Sequence, residues 1–354
     1  MKKIGIVIIN YKNYAKKFLV ECRDSIEDQD YPRDQFNVYI VDNASSEETR
    51  LYLEDHYSNA KIIVRNDGNY CAGNNAGARR AIEDGCELLV FVNMDVKLDK
   101  KWLGELVNGI SSDSAVGAVQ SKLLLYPKDG EKELKINTLG NLVNYLGFGY
   151  TSYYKKKDFQ ISGYPEIHGN ISGCSYMITA QAFERIGGYY NELYMYHDDQ
   201  DIGWKLKLNG YKMILAAKSI AYHKYEFDRS VKMVHYMERN RWMIVLMFYK
   251  LPTIILILPM FLVLEMAMIF YSILNGWFPQ KLKALGYFCK ISSWKKISKQ
   301  RKFIESIRTK KDKEILRHFQ GKVLFQEIEN PVLKYIGNPL MDIYLKLVKI
   351  VIFW

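Results

Sequence analysis

The chain has 354 residues, 49% hydrophobic and 25% charged, a balance that supports a sizeable core and argues against disorder. Its net charge of +11 sits in one segment: residues 276–322 carry fourteen Lys or Arg against three Asp or Glu, so the remainder sums to zero. That segment calls for an anionic partner, either nucleic acid, a lipid headgroup surface or a diphosphate-bearing substrate. With an apolar run beside it and no recognisable nucleic-acid motif, nucleic acid is set aside.

In chain order, Ile4 to Asn10 is a β-branched apolar run that reads as a strand buried on both faces. After Met1-Lys2-Lys3 it is too short for a signal peptide, and the cysteines at 22, 71, 86, 174 and 289 show neither CxxC pairs nor metal-ligand spacing. A reducing, cytoplasmic setting is expected. A helix follows from about Ala15 to Glu27, then a strand over Phe36 to Val41, whose polar sequel Asp42 to Ser46 opens the next helix. Lys61 to Arg65 reads as a third strand and Asn66 to Asn69 as a turn; the Gly-rich run Ala72 to Gly77 leads into a helix through Arg79 to Glu83. Leu88 to Asn93 is a fourth strand, with Asp95 just past its end.

Strands alternating with helices imply an α/β domain with a mostly parallel, doubly wound sheet, in which ligands bind outside the carboxyl ends of the strands. Four successive strands deliver polar residues to that edge: Asn10 and Tyr11, Asp42 and Asn43, Asn66 and Asp67, Asn93 and Asp95. Any one of them alone reads as a turn residue; together they look like a nucleotide site. Neither GxGxxG after the first strand nor GxxxxGK[ST] anywhere is present, which removes the main support for hydride-transfer and ATPase chemistry.

Further along, His197-Asp198-Asp199-Gln200-Asp201 places three carboxylates within four residues. Their repulsion raises at least one pKa toward neutrality, which suits a general base. The same run also reads as the start of a short helix through Ile202 and Leu206 to Gly210, with Asp198 as N-cap and Asp201 three positions on. Beyond about residue 226, Leu251 to Leu274 is almost wholly apolar, interrupted by Pro252, Pro259 and Glu265, and favours membrane contact. A single crossing would place the basic segment on the far side from the catalytic part, against the positive-inside tendency, so a re-entrant or in-plane helical hairpin kinked at Pro259 is preferred. Leu340, Ile343, Tyr344, Leu347, Val348, Val351 and Trp354 fall on one helical stripe, as in an interfacial amphipathic helix.

The motifs VIINYKN, VDNASS, NDGNYCAGNNAG, FVNMDV, ISGCSYMITAQAFERIGGYYNE and MYHDDQDIGWKLKLNGY, followed by AYHKY, occur in this order over about residues 4 to 225. In these the chain resembles the family 2 glycosyltransferases of GT-A fold, especially bacterial rhamnosyltransferase-like members. The resemblance implies a Rossmann-like GT-A catalytic domain over 1–225 and a helical, basic, membrane-associating region over 226–354. It implies that Asn10, Tyr11 and Asp42 hold the base and ribose of a dTDP- or UDP-linked sugar, with Asn75 nearby. Asn93-Met94-Asp95 stands where the family has Asp-x-Asp: Asp95 and His223 would bind Mg2+ or Mn2+ on the diphosphate, and Asn93 would stay on the donor side. Asp199, with Asp198 beside it, would be the catalytic base, and the turn at Gly173 and Cys174 would line the acceptor side.

Taken alone, His223 reads as a hydrogen-bonded structural residue. Arg239-Asn240-Arg241-Trp242 resembles the QxxRW element of processive polysaccharide synthases, with Glu238 in place of Gln. The expectation is therefore an inverting, metal-dependent enzyme at the cytoplasmic face of a bacterial membrane. It would add one sugar to a lipid-linked or glycan acceptor in surface polysaccharide synthesis. A processive synthase or a non-catalytic sugar-nucleotide-binding scaffold are the alternatives; membrane lipids are expected partners and nucleic acid is not.

Overall fold

The structure is a computed structural model that describes residues 2–128, 130–131, 133–225, 233–324 and 330–354. Two compact units divide the chain: residues 1–141, 151–206 and 211–225 form the first, and 142–150, 207–210 and 226–354 the second.

The first unit begins with β1 (Ile4–Tyr11), α1 (Tyr14–Glu27), β2 (Phe36–Asn43), α2 (Glu47–His56), β3 (Lys61–Arg65), α3 (Tyr70–Glu83) and β4 (Leu88–Val92). There follow β5 (Val96–Leu98), α4 (Trp102–Ile110), β6 (Val116–Leu125) and β7 (Ile136–Thr138), then β8 (Asn141–Val143) and β9 (Gly149–Thr151), which fall mostly in the second unit. Then come β10 (Ser175–Thr179), α5 (Ala180–Arg185), α6 (Asp198–Leu208) and β11 (Lys212–His223). The main sheet runs β3-β2-β1-β4-β10-β6-β11-β5, with β7 pairing antiparallel to the end of β6 off this path, and β8 pairs with β9 separately.

The first four strands are mutually parallel, because each βα unit crosses back over the sheet through a helix. The second half is mixed. β10 lies antiparallel between β4 and β6, and β5 lies antiparallel to β11, so those strands need no helical crossover. β1 and β4 are buried on both faces, as their continuous apolar runs require.

Local chemistry fixes the helix starts. Ser46 caps α2, accepting from Thr49 N at 3.2 Å, and Asn69 caps α3, accepting from Ala72 N at 2.9 Å. With that cap the Gly-rich run is itself helical, and its glycines serve packing: a Cβ on Gly77 would stand 2.4 Å from Val7 Cγ1. α3 therefore lies directly on β1.

The second unit contains α7 (Val234–Phe248), α8 (Leu251–Leu274), α9 (Phe278–Phe288), α10 (Ile291–Ile307), α11 (Asp312–Leu316) and α12 (Asn338–Val351). The expected hairpin is absent: α8 is one uninterrupted helix through Pro259. A proline removes one backbone hydrogen bond and strains the preceding turn, which bends a helix without reversing it. The tail helix is present, but Val348 faces inward with Met341 and Leu345, and Leu340, Ile343, Leu347 and Val351 are exposed.

Arg241 points into the second unit, not to solvent. Arg241 is buried over the rings of Phe148 and Phe261, against Glu238 and Glu265, and Trp242 packs on Phe261. An isolated buried guanidinium is costly, so the carboxylates of Glu238 and Glu265 take the place of water.

Candidate active site

Three groups of side chains gather where β1, β2 and β4 end. The first is at the tips of β1 and β2, where register sets Asn10 opposite Asp42 and Tyr11 opposite Asn43. Asn10 Nδ2 donates to Asp42 Oδ1 at 2.8 Å and its Oδ1 accepts from Ala15 N at 2.8 Å. Asp42 Oδ2 accepts from Ser45 Oγ at 2.6 Å and faces Arg50 Nε at 3.4 Å. Both Asn10 and Asp42 are 0% exposed. In this conformation they brace the strand ends, and the partly exposed Tyr11 is what they present to solvent.

The second group surrounds Asp95. The chain leaves β4 through Asn93, whose N–H donates to Cys174 O at 2.9 Å and whose Oδ1 accepts from Tyr70 OH at 3.1 Å. It then enters β5, where Val96 pairs with His223. A register shift in β11 between Ala216 and Ile220 precedes that pairing, and such a bulge re-aims the strand end. Asp95 Oδ1 lies 3.5 Å from His223 Nε2, Asp95 Oδ2 accepts from Tyr14 OH at 2.6 Å, and His223 Nδ1 is 3.0 Å from Asn137 Oδ1.

Burial by itself would lower the His223 pKa. The adjoining Cys174 sulfur and Asp95 carboxylate outweigh it and hold the imidazole well above its ordinary value. Among the described residues no three His, Cys, Asp or Glu side chains could together hold a metal ion. A carboxylate and an imidazole at this separation fit a hard divalent cation that takes its remaining ligands from phosphate oxygens and water, and binding there displaces the imidazole proton.

The third group is the acidic run. Asp198 is buried and Asp199 half-buried at the start of α6. Asp199 Oδ2 accepts from Asn141 Nδ2 at 2.9 Å and its Oδ1 from Gln200 N at 2.8 Å. Burial, then the neighbouring Asp199 charge, pushes the Asp198 carboxyl up to about 7; burial pushes Asp199 up to about 6, against hydrogen bonds from the Gln200 and Gly173 backbone and from Asn141. The two titrate as a pair near neutrality.

Asp201 serves the fold instead, where its Oδ2 accepts from Lys205 Nζ at 2.7 Å and from Tyr190 N at 2.9 Å. Tyr194, Tyr196 and His197, which lead into the pair, have φ of 69°, 63° and 60°. Three left-handed non-glycine residues in four positions store strain of about 1–3 kcal/mol each, held by the surroundings.

α3 supplies that hold. Tyr70 N and Cys71 N donate to Tyr194 O at 2.9 and 3.2 Å. Asn75 Nδ2 donates to Tyr189 O at 2.8 Å and Asn191 Oδ1 at 2.7 Å, and its Oδ1 accepts from Tyr189 N at 2.9 Å. Both amide hydrogens of Asn75 are thus engaged on the loop before Asp198, so in this conformation it clamps that loop.

The groups connect through one backbone segment. A Cβ on Gly173 would lie 3.4 Å from Asp198 Oδ2 and 3.6 Å from Asp199 Cβ, and the next residue, Cys174, borders His223. Gly173 stands against the acidic pair, whereas the Cys174 thiol turns to the Asp95 end. Sequence reasoning missed Tyr14, Tyr70, Asn137 and Asn141. The available signal for the asparagines was the density of Asn in INTLGNLVN, an otherwise apolar stretch.

The model of the family described as "Glycosyl transferase family 2" matches residues 6–186, just over half of the chain. The O-antigen biosynthesis protein RfbC of Myxococcus xanthus is 27% identical over 203 residues, 54% of this chain and 15% of that protein. Glycosyltransferase AglE of Haloferax volcanii is 27% identical over 145 residues, 38% of this chain and 45% of its own length. The chain thus spans less than half of the length of either relative. Among solved structures, GalNAc-T7 with UDP, GalNAc and Mn2+ is similar at a TM-score of 0.54 and 14% identity, over 71% of this chain and 48% of that one. TarS of Staphylococcus aureus is similar at 0.51 and 17%, over 98% and 55%. At these identities the likeness is one of fold, and the fold is the expected GT-A type.

Proposed function

The chain belongs to glycosyl transferase family 2, and on that premise we propose that it transfers one sugar, with inversion, from a nucleotide-diphosphate donor to a lipid-linked or glycan acceptor. The setting is surface polysaccharide synthesis at the cytoplasmic face of a bacterial membrane. UDP and dTDP are the first donor nucleotides to test, and rhamnose the first sugar. The observation that carries this reading is the acidic pair titrating near neutrality beside Gly173, one residue from the Cys174 that borders His223 and Asp95.

Each part has a chemical role. Asp95 and His223 would hold Mg2+ or Mn2+, which when bound offsets the charge of the diphosphate leaving group. Tyr14 and Asn137 fix the orientation of those two side chains. Asp199, the more exposed member of the acidic pair, accepts the acceptor hydroxyl proton as the new C–O bond forms at the anomeric carbon. The bond to the diphosphate breaks with its electron pair leaving on oxygen, so no covalent enzyme intermediate is required. Asn141 positions the base.

A screen of nucleotide sugars for cation-dependent hydrolysis and transfer, run with wild type and Asp95→Ala, tests the proposal. Turnover of at least one sugar nucleotide by the wild type, lost on chelation and in Asp95→Ala, is expected. Turnover indifferent to both overturns the roles of Asp95 and His223. No turnover of any donor, with nucleotide binding retained, favours a scaffold.

A further inference from the structure

α8 in the second unit is apolar on its outer side, where a helix in water is polar, and carries its few polar residues on the buried side. Its buried side mixes Thr253, Glu265 and Ser272 with Ile257, Met260, Phe261 and Leu264, and its outer stripe carries Leu251, Ile255, Leu262, Met266, Phe270 and Leu274, each between 50 and 73% exposed. α12 repeats the pattern with Ile343, Leu347 and Ile350, between 56 and 79% exposed. The two helices are held together by Tyr344 OH donating to Leu256 O at 2.8 Å and Trp354 Nε1 donating to Thr253 Oγ1 at 2.7 Å. The two helices together expose more large apolar side chains than scattered surface leucines explain.

We propose that this face seats on an anionic bilayer, with α8 lying in the plane of the membrane instead of crossing it. Length alone permits a crossing, since 24 residues extend about 36 Å against a hydrocarbon core of about 30 Å. The charges forbid it. Glu265 is bound to Arg241 of α7 and to Lys281 of α9, the latter at 2.6 Å, and Glu238 of α7 contacts both cations; all four residues are 6% exposed or less. A crossing α8 either carries Glu265 into hydrocarbon without its cations or takes Arg241 and Lys281 in with it.

The same unit carries a complement to acidic headgroups. Phe261 of α8, Trp242, Phe288 and Trp294 form a chain of ring contacts with centroids 5.1, 5.2 and 6.2 Å apart, leading from α8 to the start of α10. Around that end Lys283, Lys290 and Lys295 are exposed, and Trp294 and Ile291 are exposed beside them. Exposed aromatic side chains and lysines in one unit with exposed apolar helix faces match a membrane interface.

The proposal rests on the reading that the enzyme works at a membrane, and not on the donor or on Asp95 and Asp199. Flotation of the full-length protein with vesicles of phosphatidylcholine, with and without phosphatidylglycerol, tests the surface. Wild type is expected to float with the anionic vesicles, and Met266→Glu/Phe270→Glu to lose about tenfold or more of that partition with an unchanged melting curve and unchanged sugar-nucleotide hydrolysis. Cys289, the exposed one among the five cysteines, reports topology. In inside-out membrane vesicles from cells producing the protein, it should react with an impermeant maleimide without detergent. Reaction only after detergent means that α8 crosses, and overturns the proposal. So does a wild type that fails to float, or one that sediments as a dimer which Met266→Glu/Phe270→Glu dissociates, since the face then belongs to a second copy. Equal flotation on neutral vesicles overturns the anionic requirement.

Discussion

In the proposed mechanism Asp199 takes the acceptor proton, and its neighbours set its pKa. Asp199→Asn is expected to retain donor binding and lose transfer by about 10²- to 10⁴-fold, measured as product formation at saturating donor. Because the amide of Asn141 stabilises the ionised form, Asn141→Ala should move the acid limb of the kcat profile to higher pH from its wild-type position near the pair's values of about 6 and 7. A merely structural role for Asn141 would lower kcat without moving that limb. The same shifts bear on stability. A carboxyl that titrates higher folded than unfolded leaves the folded state with more bound protons between about pH 4 and pH 7, so stability falls as pH rises through that window. Asp198→Asn should therefore raise the melting temperature at pH 8 and leave it nearly unchanged at pH 4. Spacing alone marked the Asp198–Asp199 pair but could not show that Asp201 turns inward to Lys205, because orientation within one helical turn depends on tertiary partners.

At the scale of elements, the first 93 residues were the most legible part. Their strands alternate with helices, and the polar residues at strand ends share one edge because parallel strands in register end together. The helical state of the Gly-rich run was hidden, since glycine is a poor helix former and the packing that selects it lies on β1. Gly77→Ala is expected to destabilise the fold by about 1–3 kcal/mol in chemical denaturation, as its methyl would meet Val7 at 2.4 Å. Asn137 and Asn141 escaped because short strands such as β7 and β8 carry too few residues for a periodic signal. In the second unit Glu265 read as an interruption of an apolar run; with Arg241 and Lys281 supplied by other helices it is the polar core of the unit. Lys281→Met should cost about 3–5 kcal/mol in thermal or denaturant unfolding, with much of it recovered in Lys281→Met/Glu265→Gln, where the orphaned carboxylate is neutralised.

Across the whole molecule, composition separates two jobs. The first unit contributes the carboxylates, asparagines and histidine of the proposed sugar-nucleotide site, and residues 276–322 contribute the entire net charge of +11 in the second. Sequence resemblance indicated the family and the catalytic fold; it could not indicate which polar strand-end residues are sealed inside, as Asn10 and Asp42 are. The central claim is that a cation-held donor at Asp95 and a separate base at Asp199 serve one reaction. Calorimetric titration of UDP, dTDP and GDP into wild type, Asp95→Ala and Asp199→Asn, with and without Mn2+, tests it most directly. At least one nucleotide should bind wild type and Asp199→Asn only when Mn2+ is present and fail to bind Asp95→Ala. Binding that ignores Mn2+, or that survives undiminished in Asp95→Ala, would contradict the account.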